Sequence, residues 1–414
     1  MSKNIVICCD GTGNSFDHPE TDSNVVKLYS CLTIDRDQRG YYHPGVGTMG
    51  APGSRNVIER KWSVIKGLAF GAGLMANVAD AYRYLMDTYE DGDEIFLFGF
   101  SRGAFTARVF ASVLHVFGLL CKGNHELIPY ILDMYSRRAR DAKRRKKTFK
   151  TEEAFKWQFS HSHPVNIKFC GVWDTVSSYG WVYDPVQLPF LGRNPIIDIG
   201  RHAVSIDERR CYYQDNLWGE PYDDQDIRQV WFSGVHSDVG GSYPEEESGL
   251  SKIALQWILA QAEAAGLRLQ QDKVDKVMGL PGPIDIRGLP HYVRPSNNAC
   301  LHQSLGGMWW ILEFFPHQNP HEGAGWNIPM GRRRTIPAGS WIHESVLTSR
   351  WKPADLPPHR VEPWPGKAIA QVESAPAPQS GKGSGTHTSQ GAAAKILALA
   401  TAGAALWGVL RSRR

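Results

Sequence analysis

Three short apolar runs in this 414-residue chain each lead to a side chain suited to acyl chemistry. Glu94-Ile-Phe-Leu-Phe-Gly-Phe runs into Ser101-Arg-Gly-Ala104, so Gly99-x-Ser101-x-Gly103 joins an expected strand directly to an expected helix. A serine on so sharp a turn stands clear of the chain, and glycines two residues before and after it let neighbouring backbone approach. Its hydroxyl is a weak nucleophile and needs a base that an acid holds in the right tautomer. Ile167-Lys-Phe-Cys-Gly-Val-Trp ends on Asp174, and Val230-Trp-Phe-Ser-Gly-Val ends on His236. Taken in the order Ser, Asp, His at the carboxyl ends of successive strands, Ser101 is the expected nucleophile. His236 is then the general base and acid, and Asp174 its orienting carboxylate. A second pairing stays open, with Asp238 of Ser237-Asp-Val-Gly-Gly241 as acid and His343 of Trp341-Ile-His-Glu-Ser345 as base.

Acyl transfer also requires donors for the developing oxyanion. The backbone N–H of Arg102, first after the serine, is one candidate. The loop Asp10-Gly-Thr-Gly-Asn14, after the first apolar run, supplies the other, with Thr12 the preferred donor and Gly11 or Gly13 still open. Competing chemistries find less support. Gly45-x-Gly47-x-x-Gly50 has the spacing of a dinucleotide fingerprint but runs into Ala51-Pro52 and no helix. There is no phosphate loop ending in Gly-Lys-Ser/Thr, no His-Glu-x-x-His and no CxxC, so neither a metal nor an organic cofactor is expected.

The elements that must position these residues alternate short apolar runs with helical patterns. That is the signature of an α/β fold with a mostly parallel sheet flanked by helices. Strands are expected at Ile5–Cys9, Gly40–His43, Glu94–Phe98, Ile167–Trp173 and Gln229–Phe232. Helices are expected at Asn24–Leu32, Ile65–Tyr89, Arg102–Leu120 and Leu250–Ala265. Leu301–Phe315, with Trp309-Trp310, is unusually aromatic and reads as core, with an acyl-pocket wall or a lid as the functional alternative.

Apolar residues make up 42% of the chain, enough for a large core, and the formal charge of +4 conceals an asymmetry. Arg137–Lys150 holds nine Lys/Arg and one Asp, so the remainder is net acidic. That excludes a general nucleic-acid-coating protein and leaves one local patch, a solvated helix end or a site for acidic lipid headgroups. Seven cysteines without a paired spacing point to a reducing, cytoplasmic compartment. The catalytic domain is expected over residues 1–352. A Pro/Gly/Ser/Ala-rich linker follows at 353–391, too poor in apolar residues to order itself. Ala392–Leu410, whose one charge is Lys395, precedes Arg411-Ser-Arg-Arg414. As a helix it would reach about 28 Å, near the thickness of a hydrocarbon core. The segment 392–414 is therefore expected to be an apolar tail helix that attaches the protein to a membrane.

Together, six segments resemble a family of α/β-hydrolases that includes the phospholipase effectors of bacterial type VI secretion. They are Cys9-Asp-Gly-Thr-Gly-Asn14, Gly99-Phe-Ser-Arg-Gly-Ala104, Gly171-Val-Trp-Asp-Thr-Val176, Val235-His-Ser-Asp-Val-Gly-Gly241, Trp310-Ile-Leu-Glu and Ile342-His-Glu-Ser345. The resemblance implies a serine-hydrolase domain with Ser101, Asp174 and His236 as its triad, and lipid or phospholipid acyl esters as substrates. The large additional membrane-insertion domain of the effectors has no counterpart here, so secretion as a toxin is not implied. Two other activities fit the same residues: a membrane-tethered interaction protein that keeps the fold without turnover, and acyl transfer to an acceptor other than water.

Overall fold

The computed structural model of the chain describes residues 2–11, 21–45, 68–140, 145–176, 180–181, 184–185, 188–282, 291–307, 309–314, 317–318 and 326–364. Eight strands form one sheet: β1 (Asn4–Cys9), β2 (Gln38–His43), β3 (Glu94–Phe100), β4 (Ile167–Trp173), β5 (Ile197–Ser205), β6 (Asp226–Phe232), β7 (Trp341–His343) and β8 (Arg360–Glu362). Their order across the sheet is β8-β7-β6-β5-β4-β3-β1-β2, and every neighbouring pair is parallel. The chain leaves β1 toward β2 on one side and returns to β3 on the other. The crevice beyond their carboxyl ends is thus a switch point, the usual place for a ligand in such sheets.

Parallel strands covered on both faces must be apolar on both. All six residues of β1 are buried, and they alternate between two cores. Ile5, Ile7 and Cys9 enter the core under helices α2 (Leu68–Thr88), α3 (Arg102–Phe117), α4 (Ile128–Arg140) and α5 (Arg145–Phe159). Val6 and Cys8 enter the core under α1 (Asn24–Cys31) and α7 (Gly249–Ala264). Short helices α6 (His236–Gly240), α8 (Gln271–Val277), α9 (Trp309–Glu313) and α10 (Glu344–Leu347) complete the helices named here.

Three features depart from the sequence expectation. Strand β5 is hidden in sequence because Asp198, Arg201 and His202 interrupt its apolar run. Arg201 is satisfied by the side chains of Asp226 (2.5 Å) and Gln261 (2.7 Å), which lets it lie buried within the sheet. The folded chain also continues past the boundary expected at 352. Strand β8 pairs with β7, Glu362 accepts from the Trp257 indole at 2.9 Å, and buried Trp364 donates to Gln256 at 3.1 Å. Three residues are too few for a periodic signal, and prolines flank them on both sides. Finally, little of Leu301–Phe315 reads as core: of its residues whose burial is described, Glu313 alone is buried, Trp309 is partly exposed and Trp310 is exposed.

Residues 365–414, with the remainder of the expected linker and the whole apolar segment 392–414, lie outside the described residues. Among the described residues no helix is long and apolar enough to cross a membrane. Of the basic run, Arg137 is exposed and Arg138 pairs with buried Glu152.

Candidate active site

Ser101 joins β3 to α3 with φ 58° and ψ −121°, a left-handed conformation that a residue with a side chain adopts at a cost. The neighbouring glycines are demanded by contact. A Cβ on Gly103 would lie 2.1 Å from the Cys9 carbonyl oxygen, and one on Gly99 2.6 Å from that of Gly103. Only without those carbons can α3 start against the end of β1. The Ser101 N–H is fixed by the Trp173 carbonyl at 3.0 Å, one residue before Asp174 on the adjacent strand.

The structure brings Ser101, His236 and Asp174 together on this rim. His236 Nε2 lies 2.8 Å from Ser101 Oγ, and its Nδ1 lies 2.5 Å from Asp174 Oδ2. Phe100 stacks on the imidazole at a centroid distance of 4.7 Å and Tyr213 meets it edge-on at 4.8 Å, so the ring is confined between aromatic neighbours. Phe100 in turn packs against Gly240, where a Cβ would fall 1.8 Å from its ring. That contact explains the first glycine of Val239-Gly-Gly241.

Asp174 is 1% exposed. Burial would raise its pKa, but the Arg334 guanidinium and the His236 hydrogen bond outweigh it and hold the carboxyl far below the usual carboxylate range. Arg334 reaches both carboxylate oxygens, at 2.5 and 3.1 Å, and the Ser205 N–H donates to Oδ1 at 2.9 Å. The same guanidinium donates to the Ser205 hydroxyl and to the Tyr213 carbonyl. Burial lowers the His236 pKa below the ordinary imidazole value against the pull of Asp174, so the ring is a neutral acceptor at neutral pH.

Glu208 supports the histidine from behind. Its carboxylate accepts the His236 N–H (3.2 Å), the N–H groups of Arg209 and Arg210, the Arg210 guanidinium and the Ser304 hydroxyl. Burial would raise the pKa of Glu208; the Arg210 hydrogen bond and charge bring it down to about 2. Neither Arg334 nor Glu208 was legible beforehand. Each sits in a charged stretch, Arg332-Arg-Arg334 or Asp207-Glu-Arg-Arg210, that reads as surface.

The alternative pair is not brought together. Asp238 accepts from the N–H groups of Val235 (3.0 Å) and His302 (3.1 Å), and its other oxygen lies 2.6 Å from His302 Nδ1. His343 is fully buried, with Nδ1 2.8 Å from the Ser345 hydroxyl, and burial pushes its pKa down to about 3. Of the oxyanion candidates, Arg102 is the first residue of α3, at the positive end of the helix dipole. Thr12 lies outside the described residues. Gly11, beside Ser101, gives its N–H to its neighbour Asp10 at 2.6 Å, and Asp10 also accepts from Ser23 and Tyr42 at 2.7 Å each. A hydroxyl, a neutral imidazole and a pinned carboxylate in this line can pass a proton away from Ser101 as its oxygen attacks a carbonyl.

The family model described as the catalytic domain of Tle1-like phospholipase effectors of type VI secretion matches residues 3–261. An uncharacterized protein of Saccharomyces cerevisiae is 37% identical over 216 residues, 50% of this chain and 31% of that protein, so this chain spans under a third of the relative's length. Among solved structures, an uncharacterized protein from Pseudomonas aeruginosa aligns over 65% of this chain and 46% of its own, at 20% identity and a TM-score of 0.38. A Tle1 effector bound to the VgrG spike of the type 6 secretion system aligns over 67% of this chain and 62% of its own, at 15% identity and a TM-score of 0.34.

Proposed function

Because this chain belongs to the family of Tle1-like phospholipase effector catalytic domains of type VI secretion, we propose that it hydrolyses lipid acyl esters through an acyl-serine intermediate on Ser101. The observation that carries this reading is the unbroken line from Ser101 Oγ through His236 to Asp174, with the serine held in a left-handed turn. In the first half-reaction Ser101 Oγ bonds to the ester carbonyl carbon while His236 Nε2 takes its proton. Charge developing on the carbonyl oxygen meets the Arg102 N–H and a second donor from the loop after β1, with Thr12 the preferred residue. Collapse of the tetrahedral intermediate expels the alcohol, which takes the proton from His236. Water, deprotonated by the same nitrogen, then attacks the acyl carbon, and His236 returns the proton to Ser101 Oγ as the acyl–oxygen bond breaks and the fatty acid leaves. Asp174 steadies the imidazolium in both steps, and Arg334 and Ser205 hold Asp174. The apolar segment 392–410 would tether this domain to the bilayer that supplies its substrate.

Ser101→Ala is expected to abolish both hydrolysis of short acyl esters and labelling by a fluorophosphonate probe, with the unfolding midpoint close to that of the wild type. Undiminished labelling of the alanine variant would end the serine mechanism. A panel of phospholipids and neutral esters, with product analysis, then separates hydrolysis from transfer to another acceptor.

A further inference from the structure

Helix α9 carries two adjacent tryptophans into different surroundings. The Trp309 ring lies 5.6 Å from that of Tyr213, which covers His236, and the Arg210 guanidinium sits 5.1 Å from it. Trp310 is 38% exposed and stands 6.3 Å from Phe314. A second exposed stretch is bolted to this helix. The Met330 N–H donates to the Glu313 carbonyl at 3.2 Å, and the Gly331 N–H to the Glu313 carboxylate at 3.0 Å. Gly331 lies so close to Trp310 that a Cβ there would come within 3.2 Å of the indole. Met330 is 51% exposed and Ile328 45%. Isolated exposed apolar side chains are ordinary, whereas a contiguous group beside a site mouth marks an interaction surface.

Among the described residues, three basic side chains stand exposed around this group. Arg209, Arg332 and Arg333 are exposed, and Arg209 donates to the Gly331 carbonyl at 2.7 Å. Three acids of the same neighbourhood, Asp207, Glu208 and Glu313, are buried and turned inward. Asp207 accepts the Gly234 N–H at 2.8 Å, Glu208 supports His236, and Glu313 holds the N–H groups of Cys211 and Gly331. Arg333 pairs with Asp207 at 3.7 Å, which leaves the arginine side chain 59% exposed. The stretch is also continuous with the site, because the next residue is Arg334, which clamps Asp174.

We propose that Trp310, Ile328 and Met330, ringed by Arg209, Arg332 and Arg333, form a docking surface for an anionic phospholipid bilayer that faces the Ser101 mouth toward the membrane. The apolar side chains enter the boundary of the acyl region and the guanidiniums meet phosphate headgroups. The purpose of the surface rests on the lipid-ester reading above; the binding itself does not require turnover. A second copy of the chain fits less well. The three side chains expose on the order of 300 Å², given the ~150–250 Å² a large side chain carries, against about 800 Å² per partner in a stable interface. A symmetric pairing would also bring like charges together.

The test is co-sedimentation with extruded vesicles of phosphatidylcholine, with and without phosphatidylglycerol, of the full chain and of a chain ending at Trp364 first shown to unfold at the full chain's denaturant midpoint. The effects of substitution are read in the shorter chain, where residues 392–410 cannot hold it on the bilayer. Arg332→Gln/Arg333→Gln should lower partition onto the phosphatidylglycerol vesicles about 25-fold, taking about fivefold per arginine, and leave partition onto phosphatidylcholine unchanged. Ile328→Ser/Met330→Ser should lower partition onto both by roughly tenfold. Both variants should keep the wild-type unfolding midpoint and the wild-type rate on a water-soluble short-chain ester, and Ser101→Ala should bind vesicles as the wild type does. Wild-type vesicle binding in both patch variants overturns the proposal, as does loss of a dimer with vesicle binding intact. If instead the wild type fails to cleave the soluble ester while the patch variants lose vesicle binding, the hydrolase reading fails and the docking surface stands.

Discussion

At the scale of single residues, the site turns on a carboxylate that burial works against. Asp174 keeps its charge inside the protein because Arg334 offers two parallel donors and Ser205 a third. Removing the cation leaves a buried charge with less compensation, which typically costs about 3–5 kcal/mol. Arg334→Leu should therefore lower stability by about 3 kcal/mol or more. It should also reduce kcat by about a hundredfold, short of the roughly 10⁴-fold lost when an orienting aspartate is neutralised. KM should change far less, since Arg334 acts through Asp174 and not on substrate. Arg334→Lys should not restore kcat, because an ammonium cannot reproduce the planar fork. Steady-state kinetics alongside denaturant unfolding separates the roles: stability lost with kcat intact would make Arg334 purely structural.

At the scale of elements, the close start of α3 against β1 and the strapping of residues 301–304 to α6 set the site's shape. Gly103→Ala puts a carbon 2.1 Å from backbone oxygen, where no flexible side chain can yield. Overpacking of this kind costs about 1–3 kcal/mol or more, so a fall in unfolding free energy at the top of that range is expected, with activity lost in the fraction that folds. The strap is electrostatic. His302 bridges Asp238 (2.6 Å) and Glu247 (2.9 Å) and stacks on Tyr243 at 3.7 Å. The Asp238 hydrogen bond, opposed by burial and aided by Glu247, raises its pKa from 6.5 to about 8. A raised pKa stabilises the fold fully below the unfolded value and ceases to do so as pH climbs through the folded one. The melting temperature should accordingly decline between about pH 6.5 and pH 9, and His302→Gln should lose that part of the slope. A His302→Gln profile parallel to that of the wild type would show that the bridge contributes nothing to stability.

For the whole molecule, the edge of the sheet decides where the fold can be cut. A chain ending at Trp364 keeps β8, the Glu362–Trp257 bond and the Trp364 contact. It should unfold at the wild-type denaturant midpoint. One ending at residue 352 loses a buried tryptophan along with an edge strand and should be destabilised by about 3 kcal/mol or more. The chain ending at Trp364, set beside the full chain, also tests the tail. If 392–410 is the tether, the shorter chain is held in the membrane fraction more weakly than the full chain, through the Trp310–Met330 surface alone. Equal retention of both would remove the tail from the account.

What could be read in advance was what is local. The strand-turn-helix signature around Ser101, and the runs ending at Asp174 and near His236, depend on neighbours a few positions away, so residue type and order sufficed to place them on one rim. The elements with strong apolar periodicity were legible for the same reason. Residues whose environment comes from distant chain were not. Lys252 lies within the amphipathic pattern of α7 and would be assigned to water, yet it is buried and paired with Glu245 at 2.6 Å. Arg201 broke the apolar run of β5 until its partners from β6 and α7 were in view. Arg334 and Glu208 read as surface charge because the groups that neutralise them, Asp174, Arg210 and the His236 amide, are up to 160 positions away. Local order was enough for the parallel α/β architecture and for which side chains stand at three strand ends. The tertiary structure alone decided which charges are buried, because desolvation is offset only by partners that folding brings within hydrogen-bonding distance.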